Sequence, residues 1–187
     1  MGFTSTIPAA VVLVAALIAA MTDVWKFKVY NALTLPVMLA GPVYHGVVGG
    51  WTALANSALG LLFGFAILLL FYAMGGMGAG DVKLMAAIGA WLGMPLTFYV
   101  FLASALAAGV YAVMLLVWAG GLQEVIIDVH ILWLRVTAFS RHMGSDDRVE
   151  DEVKRDDRRK RLIPFAAMVA IGVIATYLWL QTSSPTV

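Results

Sequence analysis

The chain is 187 residues long, 62% hydrophobic and only 12% charged, and it holds no cysteine. No water-soluble domain of this size has such a composition, and the missing cysteine excludes disulfides, thiolate catalysis and cysteine-ligated zinc. The formal net charge of +1 says little, whereas the distribution of charge along the chain says much.

A hydrocarbon layer about 30 Å thick is crossed by a helix of about 20 apolar residues. Helical apolar spans fall at about 7–22, 33–51, 52–74, 82–92, 96–119 and 163–180. The expected fold class is all-α, a polytopic membrane protein with about six transmembrane helices and one long cytoplasmic loop. The first span reads as a retained helix and not a secretory signal, because no Lys or Arg precedes it and the first basic residue is Lys26. Pro36, Gly41-Pro42, His45 and Gly49-Gly50 make the second span irregular, and kinks are expected there. The fourth span is short: about 11 residues reach about 17 Å before Gly93-Met94-Pro95 breaks the helix. It is still read as a crossing, with Asp81 below the interface or the bilayer thinned. A re-entrant half-helix would put the nine basic residues after Gly120 on the wrong side.

Between the fifth and sixth spans lies a segment, 121–162, read as a cytoplasmic loop inserted into a single membrane domain covering 1–187. Its first part has Glu124, Asp128, Arg135 and His142 on one helical face opposite apolar residues, which predicts an interfacial amphipathic helix. From Asp146 to Arg161 it is mostly charged, with acid-before-base pairs such as Glu150 and Lys154 at i, i+4. A solvated helix is the plain reading of that part, and a docking surface for a charged leader the sharper one. No internal repeat is evident.

Alternate threading of the six spans puts three connections on one side, and every Lys and Arg falls on or beside them: Lys26 and Lys28, then Lys83, then the nine of the long loop. The positive-inside rule makes that side cytoplasmic. Both termini are then non-cytoplasmic, and the expected location is the cytoplasmic (inner) membrane.

Asp23 and Asp81 are the only acidic residues before Glu124. Carboxylates are costly next to a bilayer, so each is a functional-site candidate. A carboxylate pair hydrolyses a peptide bond without metal when the ionised member takes a proton from water and the protonated member polarises the carbonyl. Proximity itself forces that split, since like charges at close range hold one proton. Asp23 ends the first helix and Asp81 begins the fourth; the helix dipoles therefore predict Asp81 as base and Asp23 as acid. Gly75, Gly76, Gly78 and Gly80 precede Asp81, and their expected use is close approach of a substrate backbone and access to positive φ. The plain alternative is an interfacial turn with Asp81 as helix N-cap. Asn31 is expected to cap or orient the loop after Asp23. Lys83, two positions after Asp81, does not share its helical face, and either snorkels or tunes the dyad. The Gly60/Gly64 and Gly89/Gly93 spacings read as helix packing.

Other chemistries lack their residues. His45, His130 and His142 are dispersed with no metal-ligand spacing, so no metal or other cofactor is expected. There is no GxSxG elbow or P-loop, and the basic loop is interrupted by acids, which disfavours nucleic acid as a partner. An ion or proton transporter also keeps carboxylates in a helix bundle, but places them near the midplane of repeated halves. A non-catalytic scaffold would tolerate loss of either aspartate.

The run Gly-Met-Gly-Ala-Gly-Asp-Val-Lys-Leu-Met-Ala-Ala-Ile-Gly-Ala-Trp-Leu-Gly at 76–93 resembles the GxGD segment of type IV prepilin peptidases, which are membrane aspartyl proteases. That family's other aspartate lies in an Asp-x5-Ile-Pro-Asn pattern, which here reads Asp23 to Val29-Tyr30-Asn31 with Tyr30 in place of the usual proline. Ile163-Pro164-Phe165 resembles the opening of the family's last helix; 146–161 is unmatched. The resemblance implies an aspartic-type endopeptidase with catalytic Asp23 and Asp81. It implies as substrate a pilin or pseudopilin precursor helix held in the lipid bilayer, cut after a glycine that ends a short basic cytoplasmic leader. Bifunctional members carry an extra segment with Cys-x-x-Cys pairs linked to N-methylation. With no cysteine, this chain resembles the short form of Tad or Flp pilus systems, and no methyltransferase activity is expected. Presenilin-like and archaeal preflagellin peptidases share the GxGD idea.

Overall fold

A computed structural model describes residues 6–26, 29–73, 77–119 and 165–183. Five helices account for nearly all of them: α1 (Thr6–Lys26), α2 (Asn31–Ala73), α3 (Ala79–Leu92), α4 (Met94–Ala119) and α5 (Phe165–Ser183). The chain divides into two units, Met1–Gly109 with Pro164–Val187, and Val110–Ile163. Of the second only 110–119, the end of α4, is described, so the account below concerns the first. The amphipathic helix and charged segment expected over 121–162 lie outside the described residues.

The protein is a multi-pass, all-helical membrane protein. Helices α1, α2, α4 and α5 are each long and apolar enough to cross a bilayer. At 43 residues, α2 would measure about 65 Å if straight, twice what a crossing needs. It breaks at Gly50, whose φ of 66° and ψ of −160° lie outside the helical region and suit glycine because it lacks a Cβ. The chain then doubles back, so that a Cβ at Gly46 would stand 3.7 Å from the Leu54 side chain. The expected spans 33–51 and 52–74 are the two limbs of this hairpin.

The fourth expected span is α3, which starts at Ala79, three residues earlier than the apolar run. At 14 residues it measures about 21 Å. Val82 and every residue from Leu84 to Leu92 are buried. A helix apolar on all sides belongs in the interior, and α3 is the centre of the bundle. Both limbs of α2 lie against it through glycines: Gly41 faces Ala90, Gly64 faces Met85 and Ala86, and Gly60 faces Gly89 and Gly93. The two GxxxG spacings thus face each other, and a Cβ at Gly60 would stand 2.7 Å from the Gly93 Cα. Lipid removes the hydrophobic drive for helix pairing, so close backbone packing takes its place. On the remaining side, small and branched residues of α1 (Val12, Ala16, Ala19) and α5 (Ala166, Val169, Val173) are buried.

A helix that stops short leaves carbonyls without water, and each orphan costs several kcal/mol in hydrocarbon. The end of α3 meets that demand with protein groups. Gly89 O accepts the Gly93 N–H at 2.9 Å, Ala90 O accepts the buried Ser57 hydroxyl, and Trp91 O lies 3.0 Å from His45 Nε2. Because a carbonyl only accepts, that nitrogen carries the proton. Trp91 Nε1 in turn donates to Val37 O at 2.8 Å, five residues before the Pro42 that interrupts the ladder of α2.

Candidate active site

Asp23 lies in the last turn of α1 and is only 7% exposed. Its Oδ2 accepts the backbone N–H of Ala166 at 2.9 Å. Ala166 is the second residue of α5, so the bond uses one of the helix's orphan donors at its positive end. Packing of α1 on α5 through alanines and valines brings the two ends this close. The sequence assigned a helix N-terminus to Asp81 alone; the structure supplies Asp23 with another.

Asp81 is the third residue of α3 and is half-buried. Its N–H donates to Gly78 O at 3.1 Å, which closes the first turn. Gly78 is the N-cap, so Asp81 does not cap the helix in the usual sense. Its carboxylate instead turns back onto the Gly78 backbone N–H, as the acidic residue at the N3 position of a capping box does. The Asp23 and Asp81 carboxylates lie within electrostatic reach of one another, with α1 packed on α3. The structure therefore brings the two isolated acids to one end of the bundle, where α1 ends and α3 and α5 begin.

Neither Gly78 nor Gly80 uses a positive φ, and the two sit in different surroundings. Gly78 has φ −81°, a value any residue adopts, so positive φ is not used there. It is exposed, and a Cβ on it would make an ordinary 3.5 Å contact with Asp81 Oδ2. At Gly80 a Cβ would come within 3.0 Å of Val29 Cβ and 3.1 Å of Val29 O; its bareness serves the α1–α2 connector. Gly75 and Gly76 lie outside the described residues. Asn31 and Lys83 meet each other and not the acids: Lys83 Nζ donates to Asn31 Oδ1 at 2.9 Å. Lys26 stands over the Tyr30 ring, 5.7 Å from its centroid.

Sequence reasoning missed Ala166 and Val29. Both act through the backbone or through bare proximity, which leaves no side-chain signature. The nearest available sign was Pro164, which suits a helix start. Among the described residues no group of His, Asp and Glu has the arrangement of a metal site, and His45 is spent on capping α3. What the geometry offers is a buried carboxylate tied to a helix N-terminus beside a half-exposed one, the makings of an acid–base pair.

Residues 10–113, over half of the chain and including both aspartates, match the type IV leader peptidase family. The chain belongs to this family. It is similar to the prepilin leader peptidase/N-methyltransferase of Aeromonas salmonicida, 33% identical over 98 residues that make up 49% of this chain and 33% of that protein. The protein of the same name from Aeromonas hydrophila is 35% identical over 91 residues, 45% of this chain and 31% of the relative. The one from Neisseria gonorrhoeae is 38% identical over 71 residues, 34% and 24% respectively. The chain thus matches about a third or less of the length of these relatives. No solved structure matches it significantly.

Proposed function

We propose that this leader peptidase family member is an aspartic-type endopeptidase that removes the short basic leader of type IV pilin-like precursors, with Asp23 and Asp81 as its acid–base pair. The observation that carries this reading is the convergence of the two acids, distant in sequence, at one end of the bundle. A transporter would hold such groups near the midplane; these occupy a last and a first turn.

The hydrogen bond from Ala166 supports the charged form of Asp23 as the Gly78 N–H supports that of Asp81, so the α1 and α3 dipoles alone do not divide the roles, and we assign them by exposure instead. Asp23 is the base and Asp81, at the exposed turn beside Gly78, is the acid that meets the substrate. Asp23 takes a proton from water as the water oxygen bonds to the scissile carbonyl carbon, and Asp81 gives its proton to the carbonyl oxygen. In the collapse Asp81 recovers that proton, and Asp23 passes its own to the leaving nitrogen as the C–N bond breaks. Shared protons make the two pKa values properties of the pair.

The positive-inside rule, applied to the basic connections, supports a cytoplasmic, inner-membrane position for this end, where a leader would lie, with both termini on the other side. The relatives' names include N-methyltransferase, but for this chain, which holds no cysteine, we propose cleavage without methylation.

Co-expression with a pilin precursor tests these points, with product size, N-terminus and N-terminal mass as readouts. Cleavage after the leader glycine is expected for the wild type, giving an unmethylated amine. A general acid or base contributes about 10²–10⁴-fold, so Asp23→Asn and Asp81→Asn should each lose at least that much. With Asp81 as acid, the wild-type rate falls at high pH as the shared proton leaves, and residual activity in Asp81→Asn should lack that fall. Cleavage that survives either substitution undiminished removes the dyad.

A further inference from the structure

Gly80 and Lys83 are three positions apart in α3 and so share one helical face, from which Asp81 is excluded. Both contact the α1–α2 connector: Gly80 lies under Val29, and Lys83 Nζ is bonded to Asn31 Oδ1. That connector leaves α1 three residues after Asp23. We infer that Val29–Asn31 and the first turns of α3 form a clasp that holds the two aspartate-bearing segments in register, with Lys83 and Asn31 as positioning residues that touch neither carboxylate.

The argument rests on where the two contacts fall. A lysine at a membrane boundary normally extends its ammonium group to water or headgroups, whereas this one is engaged by an amide on a neighbouring segment. An Asn31 that merely capped its own helix would bond to nearby backbone; here Tyr30 O closes the first turn of α2, accepting the N–H groups of Leu33 and Thr34, and the Asn31 side chain reaches across to α3. The apolar contact at Gly80 fixes how closely the connector approaches α3. The polar contact one turn on fixes how far it slides along α3. Together they constrain the segment after Asp23 against the segment that carries Asp81. The pair of carboxylates has to be held to within a fraction of an ångström of its productive geometry, because a displacement of about 1 Å costs about a hundredfold in rate.

The activity readout depends on the peptidase reading, so a second readout is independent of it. In a purified full-length chain cleaving a pilin precursor, Lys83→Ala and Asn31→Ala should each lower kcat about tenfold to a hundredfold with KM little changed, and the double variant should be no worse than the weaker single one. The exchange Asn31→Lys with Lys83→Asn, which reverses donor and acceptor, should recover most of the loss. Additive losses, a change confined to KM, or no recovery in the exchange would overturn the clasp. For the second readout, the absence of native cysteine allows Asp23→Cys and Asp81→Cys to be joined by a short bismaleimide in membranes, with no substrate. Cross-linking should fall several-fold when Lys83→Ala is added and return in the exchange variant; an unchanged yield overturns the inference. A cysteine pair that cross-links as expected, together with a wild-type chain that cleaves no precursor, would count against the peptidase reading and leave the clasp standing.

Discussion

At the scale of single residues, the two glycines beside Asp81 separate what the site needs for folding from what it needs for substrate. A Cβ at Gly78 makes ordinary contacts with Asp81 Oδ2 at 3.5 Å and Gly80 N at 4.0 Å, while one at Gly80 presses on Val29 at 3.0 Å. Gly78→Ala should therefore keep wild-type thermal stability in detergent, and any loss of cleavage it shows belongs to substrate approach. Gly80→Ala should lower stability by about 1–3 kcal/mol, the usual cost of overpacking, and a Val29→Ala background should recover part of it. Equal stability of the two alanine variants would refute this division. Asp23 and Asp81 were legible in the sequence because lone carboxylates stand out against hydrocarbon. The use of Gly80 was not, since a glycine that admits a neighbouring chain and one that admits a substrate are the same residue. Ala166 was invisible for a deeper reason: its contribution is a backbone N–H, which every residue but proline has.

The central helix is the element on which the rest depends, and its glycines show how tightly it is held. Gly89 faces Gly60 so closely that an added Cβ would fall on Gly60 O and 3.2 Å from Leu61 N. These are backbone atoms, which cannot rotate away, so Gly89→Ala forces the second limb of α2 from α3. The packing lost there is the main force between helices in lipid, and about 1–3 kcal/mol of destabilisation is expected. Gly109 in α4 is the control: a Cβ there meets nothing within 4 Å, and alanine should stabilise the helix by up to about 1 kcal/mol. Midpoints of thermal unfolding in one detergent compare the two, and the prediction fails if Gly89→Ala unfolds no earlier than Gly109→Ala. The sequence announced the spans and the GxxxG spacings through period and composition. It did not announce which GxxxG faced which, nor that Ser57 and His45 cap α3, because those bonds join residues 33 and 46 positions apart.

For the molecule as a whole, the question is how a core helix about 21 Å long serves a layer about 30 Å thick. Either the layer thins at the end of α3, or α3 reaches the far interface and Asp81 is sunk below the near one. The caps supplied by His45 and Ser57 let α3 end in a dry place, so they do not decide between these. Asn56 does. It is exposed, its Nδ2 would lie 3.9 Å from a Cβ on Gly93, and it stands six residues past the Gly50 turn, about 9 Å along the second limb of α2. An exposed amide at that depth is costly in hydrocarbon, whereas thinning to the level of Gly93 would wet it, and the cost of such mismatch is only a fraction of a kcal/mol per ångström. The expected outcome is that Asn56→Cys, in a chain with no other cysteine, reacts with a membrane-impermeant maleimide from the face opposite the aspartates. Leu59→Cys, which is 55% exposed and nearly a turn deeper, should stay unreactive. Labelling at neither position would mean that the bilayer keeps its full thickness over Gly93. The shortfall would then lie on the aspartate side, and a substrate's cleavage site would have to be drawn into the membrane to reach Asp81.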